Sequence, residues 1–267
     1  MNLMELIDAV RDEGYSQANA EARVCQDIVL KAIDKSAFTN HITIKGGVVM
    51  RSITGDARRA TQDMDLDFIR YSLRDDSVRD FISRLNCLDG IFIRITGEIE
   101  ELSQQEYHGK RVFITITDKT GYMLRSKIDL GVHKQVQIEQ DEYCFDVCMD
   151  DEGASLLINS KEQIFTEKLR SLLRFGPLST RFKDVFDMCY LSDHVDRQRL
   201  EQCMNTYIFS DPGMRENDMY AIQARVHQTF ADQTYQKRLE RSHSSNWMGI
   251  PVSKAIEQIT AFLKSLK

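Results

Sequence analysis

Residues 63–68 read Asp-Met-Asp-Leu-Asp-Phe, three carboxylates alternating with three apolar side chains. In a β-strand successive side chains point to opposite faces, so Asp63, Asp65 and Asp67 would share one face and Met64, Leu66 and Phe68 the other. Neighbouring carboxylates on such a face stand about 6–7 Å apart. That spacing suits a hard cation such as Mg²⁺ with positions left over for phosphate oxygens, and two ions about 3.5–4 Å apart can stabilise both the attacking and the leaving oxygen of a phosphoryl transfer. An acidic edge strand turned to solvent is the plainer reading, but like charges along one face repel each other, so stability alone is a poor reason for them. Lys127-Ile128-Asp129-Leu130 adds a third carboxylate on a β segment, flanked by apolar residues, where an unpaired charge is costly. Its expected partner is Lys127, Arg125 or a metal. Gly46-Gly47 lies between a short alternating run and an apolar helical turn, where backbone N–H groups can meet phosphate oxygens.

The elements that would position these groups follow from periodicity. Leu3, Leu6, Ile7 and Val10 predict a first helix. Ser16 would cap a second, with Val24, Cys25, Ile28, Val29 and Ile33 inward. His41–Ile44 is a short strand, Val48–Met50 a short helix, and 51–60 a polar, basic loop. After the acidic strand comes a helix over 75–86 capped by Asp75 or Asp76, with Val78, Phe81, Ile82 and Leu85 inward. Three β-rich segments then run over 91–101, 111–117 and 122–130, and the connection 104–110 suits a hairpin. From Ser160 the pattern is helical. Ser160-x-x-Gln163 reads as a capping box ahead of Ile164, Phe165, Leu169, Leu172 and Leu173; Phe175-Gly176-Pro177 breaks that helix, and Thr180 would cap the next. A last helix over 252–266 carries Ile256, Ile259, Leu263 and Leu266. The fold class is therefore α+β: a mixed sheet with flanking helices over 1–157, then a helical part over 158–267. The boundary near 155–160 has no flexible linker.

Composition excludes several classes. With 267 residues, 42% hydrophobic, 28% charged, and scarce glycine (13) and proline (3), the chain is neither disordered nor of low complexity. No apolar run nears the roughly 20 residues of a membrane span, and the first fourteen residues carry acids where a signal peptide needs an apolar centre, so the expected location is the cytoplasm, with no membrane partner. The six cysteines form no C-x-x-C pair; Cys144 and Cys148 would share a face in a strand, where buried reduced thiols are the expectation. The six histidines lack zinc-binding spacing. Net charge is −6, acidic before residue 160 and basic after it, which would suit metal-holding acids in one part and phosphate-meeting cations in the other.

The order Gly46-Gly47, then Arg59-Ala60-Thr61-Gln62-Asp63-Met64-Asp65-Leu66, then Lys127-Ile128-Asp129 resembles the nucleotidyltransferases of the DNA polymerase β-like superfamily. Arg-x-Thr-x-Asp-x-Asp, Lys168, and the run Lys183-Asp184-Val185-Phe186-Asp187-Met188 resemble, more narrowly, the AbiEii/AbiGii toxins of abortive-infection and toxin–antitoxin systems. Lys183 and Phe186 stand where that family usually has Arg and Tyr. Gly47 stands where many superfamily members have Ser, so backbone donors must serve the phosphate. The resemblance covers about residues 40–190.

It implies a role for each matched residue. Asp63 and Asp65 would hold two Mg²⁺ ions, and Asp129, as a third metal-site residue, would position or deprotonate the attacking hydroxyl. Gly46 and Gly47, with Arg59 and Thr61, would bind the nucleotide. Lys168 would reach the phosphates, and Asp187, on one helical face with Asp184, would orient Lys168; capping is the alternative for Asp184. Asp67 is expected outside the metal site. Arg58 and Arg59 would contact phosphate or RNA, or lie on the surface. His133 reads as a strand-end residue, and Trp247, Tyr207, Phe209 and Tyr220 as helix packing. The implied activity moves a nucleoside monophosphate from an NTP to an acceptor hydroxyl, foremost an RNA such as a tRNA 3′ end, in a toxin opposed by a cognate antitoxin. A small-molecule or protein acceptor, and a non-catalytic nucleotide-binding module, are the alternatives.

Overall fold

The computed structural model describes residues 1–102, 109–135 and 137–266. The hairpin connection expected over 104–110 lies outside them for residues 104–108. The chain divides into two compact units, Met1–Asn159 and Ser160–Lys267. Among the described residues no helix is long and apolar enough to cross a membrane.

The first unit opens with α1 (Leu3–Asp12) and α2 (Gln17–Asp34). Asn2 caps α1, and Ser16 caps α2 by accepting the Asn19 N–H. Then come β1 (Ile42–Lys45), α3 (Gly46–Thr54), a single 3₁₀ turn at Ala57–Arg59, β2 (Met64–Phe68) and α4 (Asp75–Arg84). Six strands follow: β3 (Ile91–Ile95), β4 (Glu100–Leu102), β5 (Gly109–Asp118), β6 (Met123–Val132), β7 (Asp141–Val147) and β8 (Asp150–Ile158). They form one mixed sheet in the order β3-β5-β6-β2-β1-β8-β7, with β4 paired to the other end of the β5 edge. The pairs β2–β6 and β1–β8 are parallel.

Period-two alternation decides what each sheet face meets. Ile44, Leu66, Phe68, Ile128, Leu130, Val112 and Ile114 are all buried. Around Phe68 the rings of Phe38, Tyr71 and Phe81 stack edge to face, with centroids 5.0–5.3 Å apart. The opposite face carries Lys45, Asp65, Asp67, Asp129 and Arg111.

Helix α2 buries polar side chains as well as apolar ones, because those side chains tie distant segments together. Asp27, fully buried, accepts the Arg51 guanidinium from α3 at 2.8 Å and the backbone N–H of Cys148 at 3.1 Å, and Arg23 stands 3.4 Å away. Lys31, 4% exposed, donates to Asp150 and to the Gly153 carbonyl at the start of β8.

Several local expectations shift. Helix α3 starts at Gly46 and runs to Thr54, where the sequence suggested a short turn and then a loop; Gly55, with φ +60, ends it. No side chain caps α4, whose N-cap position is Arg74; Asp75 and Asp76 sit in its first turn. The β-rich run 91–101 is two strands parted at Gly97, where φ is +76. The β7–β8 hairpin had no strand signal beyond the cysteine spacing, since its exposed positions carry acids. Cys144 is exposed within β7, and Cys148 follows the register shift at Phe145/Val147, past the strand end. All six thiols are free.

The second unit is helical: α5 (Lys161–Phe175), α6 (Phe182–Ser192), α7 (Arg197–Met204), α8 (Met219–Ala231), α9 (Gln233–Arg241) and α10 (Val252–Ser265). Ser160 caps α5 by accepting the Gln163 N–H, but the Gln163 amide turns to Glu167. Thr180 does not cap α6. Arg181 holds that position without a side-chain cap, its own N–H donating to the Ser179 hydroxyl.

The Asp27 carboxylate answers buried cations from two helices, so its neutralisation leaves them uncompensated. Asp27→Asn should lower unfolding free energy by about 3–5 kcal/mol in urea denaturation. A loss within 0.5 kcal/mol would show that the network is dispensable.

Candidate active site

Strand β1 runs into α3 without a loop, and the junction is where the chemistry gathers. Gly46 has φ +65, and a Cβ there would stand 2.6 Å from Asp65 Oδ2. A Cβ on Gly47 would stand 2.5 Å from Thr61 Oγ1. Two side chains of the acidic segment are thus seated on bare backbone at the start of a helix, whose first N–H groups have no intrahelical acceptor and carry the positive end of its dipole. Lys45, in the N-cap position, makes no side-chain cap. The loop carrying Thr61 is held from α2, where Gln26 donates its amide to the carbonyls of Thr61 (2.9 Å) and Asp63 (3.4 Å).

Register lines up a row of charges across five strands. Lys45 on β1 is paired with Asp65 on β2, Asp65 with Asp129 on β6, Asp129 with Arg111 on β5, and Arg111 with Glu100 on β4. Residues directly opposite in a sheet point to the same face, so the signs read plus, minus, minus, plus, minus. Both oxygens of Asp129 accept from Arg111, at 2.7 and 2.8 Å. Lys127 stands 2.8 Å from Asp63, and Lys45 2.7 Å from Asp67. The partner expected for Asp129 was Lys127, Arg125 or a metal; strand pairing places Arg111 on it, and Lys127 goes to Asp63. Asp67 lies one step along the strand, its oxygen where a side chain on Gly131 would be.

Among the described residues no cation is bonded to Asp65. Burial pushes its carboxyl up to about 6; Lys45 opposes that shift, and Asp129, Asp63 and Asp67 add to it. The donor set, three carboxylates beside a helix N-terminus, has the hard-oxygen chemistry that Mg²⁺ takes. Among the described residues no three His, Cys, Asp or Glu side chains converge tightly enough to grip a metal. The residues fit a hard cation in type and in sharing one sheet face beside a helix N-terminus, with Lys127 on Asp63 and Arg111 on Asp129.

In the second unit, Lys168 on α5 reaches two carboxylates of α6: Asp184 at 2.6 Å and Asp187 at 2.8 Å. Asp187 is fully buried and also accepts from the Trp247 indole N–H at 2.9 Å. An i, i+3 carboxylate pair thus brackets one lysine.

Residues 28–248 match the family model described as Nucleotidyl transferase AbiEii toxin, Type IV TA system. The chain belongs to the AbiEii nucleotidyltransferase toxin family. It is thereby a nucleotidyltransferase of a toxin–antitoxin family, and every site residue inferred from sequence falls within the matched span. No curated protein matches it.

Within this AbiEii fold, Gly46, Gly47, Thr61, Asp63, Asp65 and Asp129 come together in the first unit, and Lys168, Asp184 and Asp187 in the second. Arg59 does not join them as a surface group: it is 2% exposed, and the exposed arginine of the pair, Arg58, is held by Asp56. His133, buried just past the end of β6, donates its backbone N–H to the Phe68 carbonyl. Sequence reasoning missed Arg111, Lys45 and Gln26 because register and helix placement alone bring them to the site. It read Trp247 as packing, and its indole also anchors Asp187.

Two substitutions test this geometry. Gly46→Ala forces a left-handed φ on an L-residue and a Cβ onto Asp65, so it should cost about 1–2 kcal/mol in denaturation, and less when Asp65 is also Ala. In chelator, a carboxyl at about 6 in the fold and at the ordinary aspartate value of 3.8 in the unfolded chain binds an extra proton when folded between those pH values, so its contribution to stability falls as pH rises through that window. Asp65→Asn should therefore be more stable than wild type by about 2 kcal/mol at pH 8, with the gap closing toward pH 4. A pH-independent difference would show that Asp65 is not strained by its neighbours.

Proposed function

We propose that this chain transfers a nucleoside monophosphate from an NTP to the hydroxyl of an RNA, foremost a tRNA 3′ end, as a toxin restrained by a cognate antitoxin. One observation carries the reading: a half-buried aspartate, Asp65, lodged against a Gly-Gly helix N-terminus and bonded to no cation among the described residues. A carboxylate kept charged there does little for stability, and it lies where a triphosphate and its counter-ion would meet backbone N–H groups.

The acceptor oxygen attacks the α-phosphorus, the α–β phosphoanhydride bond breaks, pyrophosphate leaves, and the hydroxyl proton passes to solvent or a carboxylate. Asp63, Asp65 and Asp129 would hold Mg²⁺, which when bound offsets the negative charge gathering on the phosphates. The N–H groups of Gly46 and Gly47 would cradle the phosphate oxygens, with Thr61 seated beside them. Asp129, with both oxygens on Arg111, suits positioning of the acceptor better than proton abstraction. Lys168 would neutralise phosphate charge and Asp187 would hold its ammonium in place; Asp184, on the same ammonium, would share that task. In domain terms, 1–157 would be the nucleotidyltransferase-like part and 158–267 a helical part. The net basic charge of the latter supports an RNA acceptor, and the chain's overall −6 favours a local contact over a long one.

The test is incubation with each α-labelled NTP, Mg²⁺ and total RNA. Label should enter RNA of tRNA size, fall by about 10²-fold or more in Asp65→Asn and Lys168→Ala, recover partly in Lys168→Arg, and persist in Lys161→Ala. Label in protein or in a small acceptor would move the acceptor class, and no incorporation from any NTP would overturn transferase chemistry.

A further inference from the structure

Arg111 makes a contact to the acidic row that the transfer chemistry leaves unexplained. Its guanidinium takes both oxygens of Asp129 in a fork, and its side chain is 29% exposed against 10% for Asp129. Such a pair is short, charge-assisted and geometrically specific, so the cation has been placed on that carboxylate and does not merely share its neighbourhood. On the other side of Arg111 in the same row stands Glu100 of β4, directly opposite and exposed. Among the described residues Arg111 therefore has Asp129 bonded to it, buried beside Asp65, with Asp63 and, at the sheet edge, Glu100 close enough to act on its charge. Asp65, the next residue in the row, has neither a guanidinium nor an ammonium bonded to it among the described residues.

We infer that Arg111 is a latch: it competes with an arriving divalent cation for Asp129 and gives that carboxylate up to it, swinging to Glu100 so that the carboxylate set closes only on binding. The inference rests on reading Asp63, Asp65 and Asp129 as cation ligands. The physical argument is competition for one anion. With Arg111 in place, Asp129 is already neutralised and offers little to a second cation, so the metal binds a site short of one charge. Release restores that charge next to Asp65, and Glu100 keeps the displaced guanidinium from being stranded. A bidentate arginine suits this better than a lysine, since it fixes both oxygens and leaves as one rigid body. The same contact would keep two adjacent aspartates, 65 and 129, from repelling each other before the cation arrives.

The experiment reads metal binding alone, without nucleotide, by calorimetric titration of Mn²⁺ into the full chain. Arg111→Met, which keeps the aliphatic stem, should tighten Mn²⁺ binding by about 10-fold or more, as removal of a charge-assisted bidentate contact implies. Arg111→Lys should fall between it and wild type. Glu100→Gln, which removes the alternative acceptor, should weaken binding about 2–3-fold. The decisive background is Asp129→Asn, where Arg111→Met should leave the Mn²⁺ affinity unchanged, because the latch acts only through that carboxylate. Equal tightening in both backgrounds would reduce Arg111 to a general positive charge and overturn the latch. So would unchanged affinity in Arg111→Met, with the metal reading left standing. Absence of Mn²⁺ binding in wild type and Arg111→Met alike would instead remove the metal reading on which the inference rests. Should Arg111→Met fail to melt cooperatively, the comparison of Arg111→Lys with Glu100→Gln decides: the first tightening and the second weakening supports the latch, and any other order overturns it.

Discussion

The Asp65 carboxylate rests against the bare Cα of Gly46, half out of water, with three other carboxylates near it and, among the described residues, no cation bonded to it. Keeping a charge in that position costs free energy, and the surroundings are arranged to contain the cost. Lys127 takes Asp63, Arg111 takes Asp129 and Lys45 takes Asp67. Each pairing neutralises one neighbour and leaves the central charge exposed to whatever ligand enters. Binding of a cation-bearing anionic ligand at such a charge would remove a penalty as well as add contacts.

Two glycines make the close approach possible. At position 46 the backbone is left-handed, and at 47 the Thr61 side chain fills the space a Cβ would need. Larger residues would push the acid and the threonine away from the helix N-terminus. The scaffold behind them is stiffened by α2, which contributes apolar packing to the sheet and, through Gln26, Asp27 and Lys31, hydrogen bonds to the Thr61 loop, to α3 and to the β7–β8 hairpin. Buried polar groups on one helix therefore connect the segments that must not drift if Asp65 is to stay on Gly46. Such a buried polar network specifies a geometry more than it adds stability.

The second unit repeats the logic in reverse. Here a cation, Lys168, is placed between two carboxylates, and the buried member, Asp187, is fixed in turn by the Trp247 indole. An ammonium so held keeps its charge and its direction, the two properties that electrostatic stabilisation of a phosphate needs. Nearly a full helical turn separates Asp184 from Asp187, so the bracket exists only because α6 is helical there.

Much of this was written in local pattern. The alternation of residues 63–68 is enough to put the acids on one face of a strand. Ser16 and Ser160 mark two helix starts, and the run Arg-x-Thr-x-Asp-x-Asp with Gly-Gly and Lys168 places the chain in its family, since these features depend on neighbours within a few residues. What lay beyond the sequence depends on which strand lies beside which. Arg111 meets Asp129, and Lys127 meets Asp63, because β5, β6 and β2 are adjacent in one register, and a shift of one residue would send every one of those side chains to the other face. The β7–β8 hairpin escaped notice because acids occupy its exposed positions, and Arg59 read as a phosphate- or RNA-contacting arginine or a surface one because burial of a guanidinium leaves no mark in local sequence. Side-chain type is a property of the chain, but the partner of each charge is a property of the sheet, and the sheet is assembled from segments that the sequence keeps far apart.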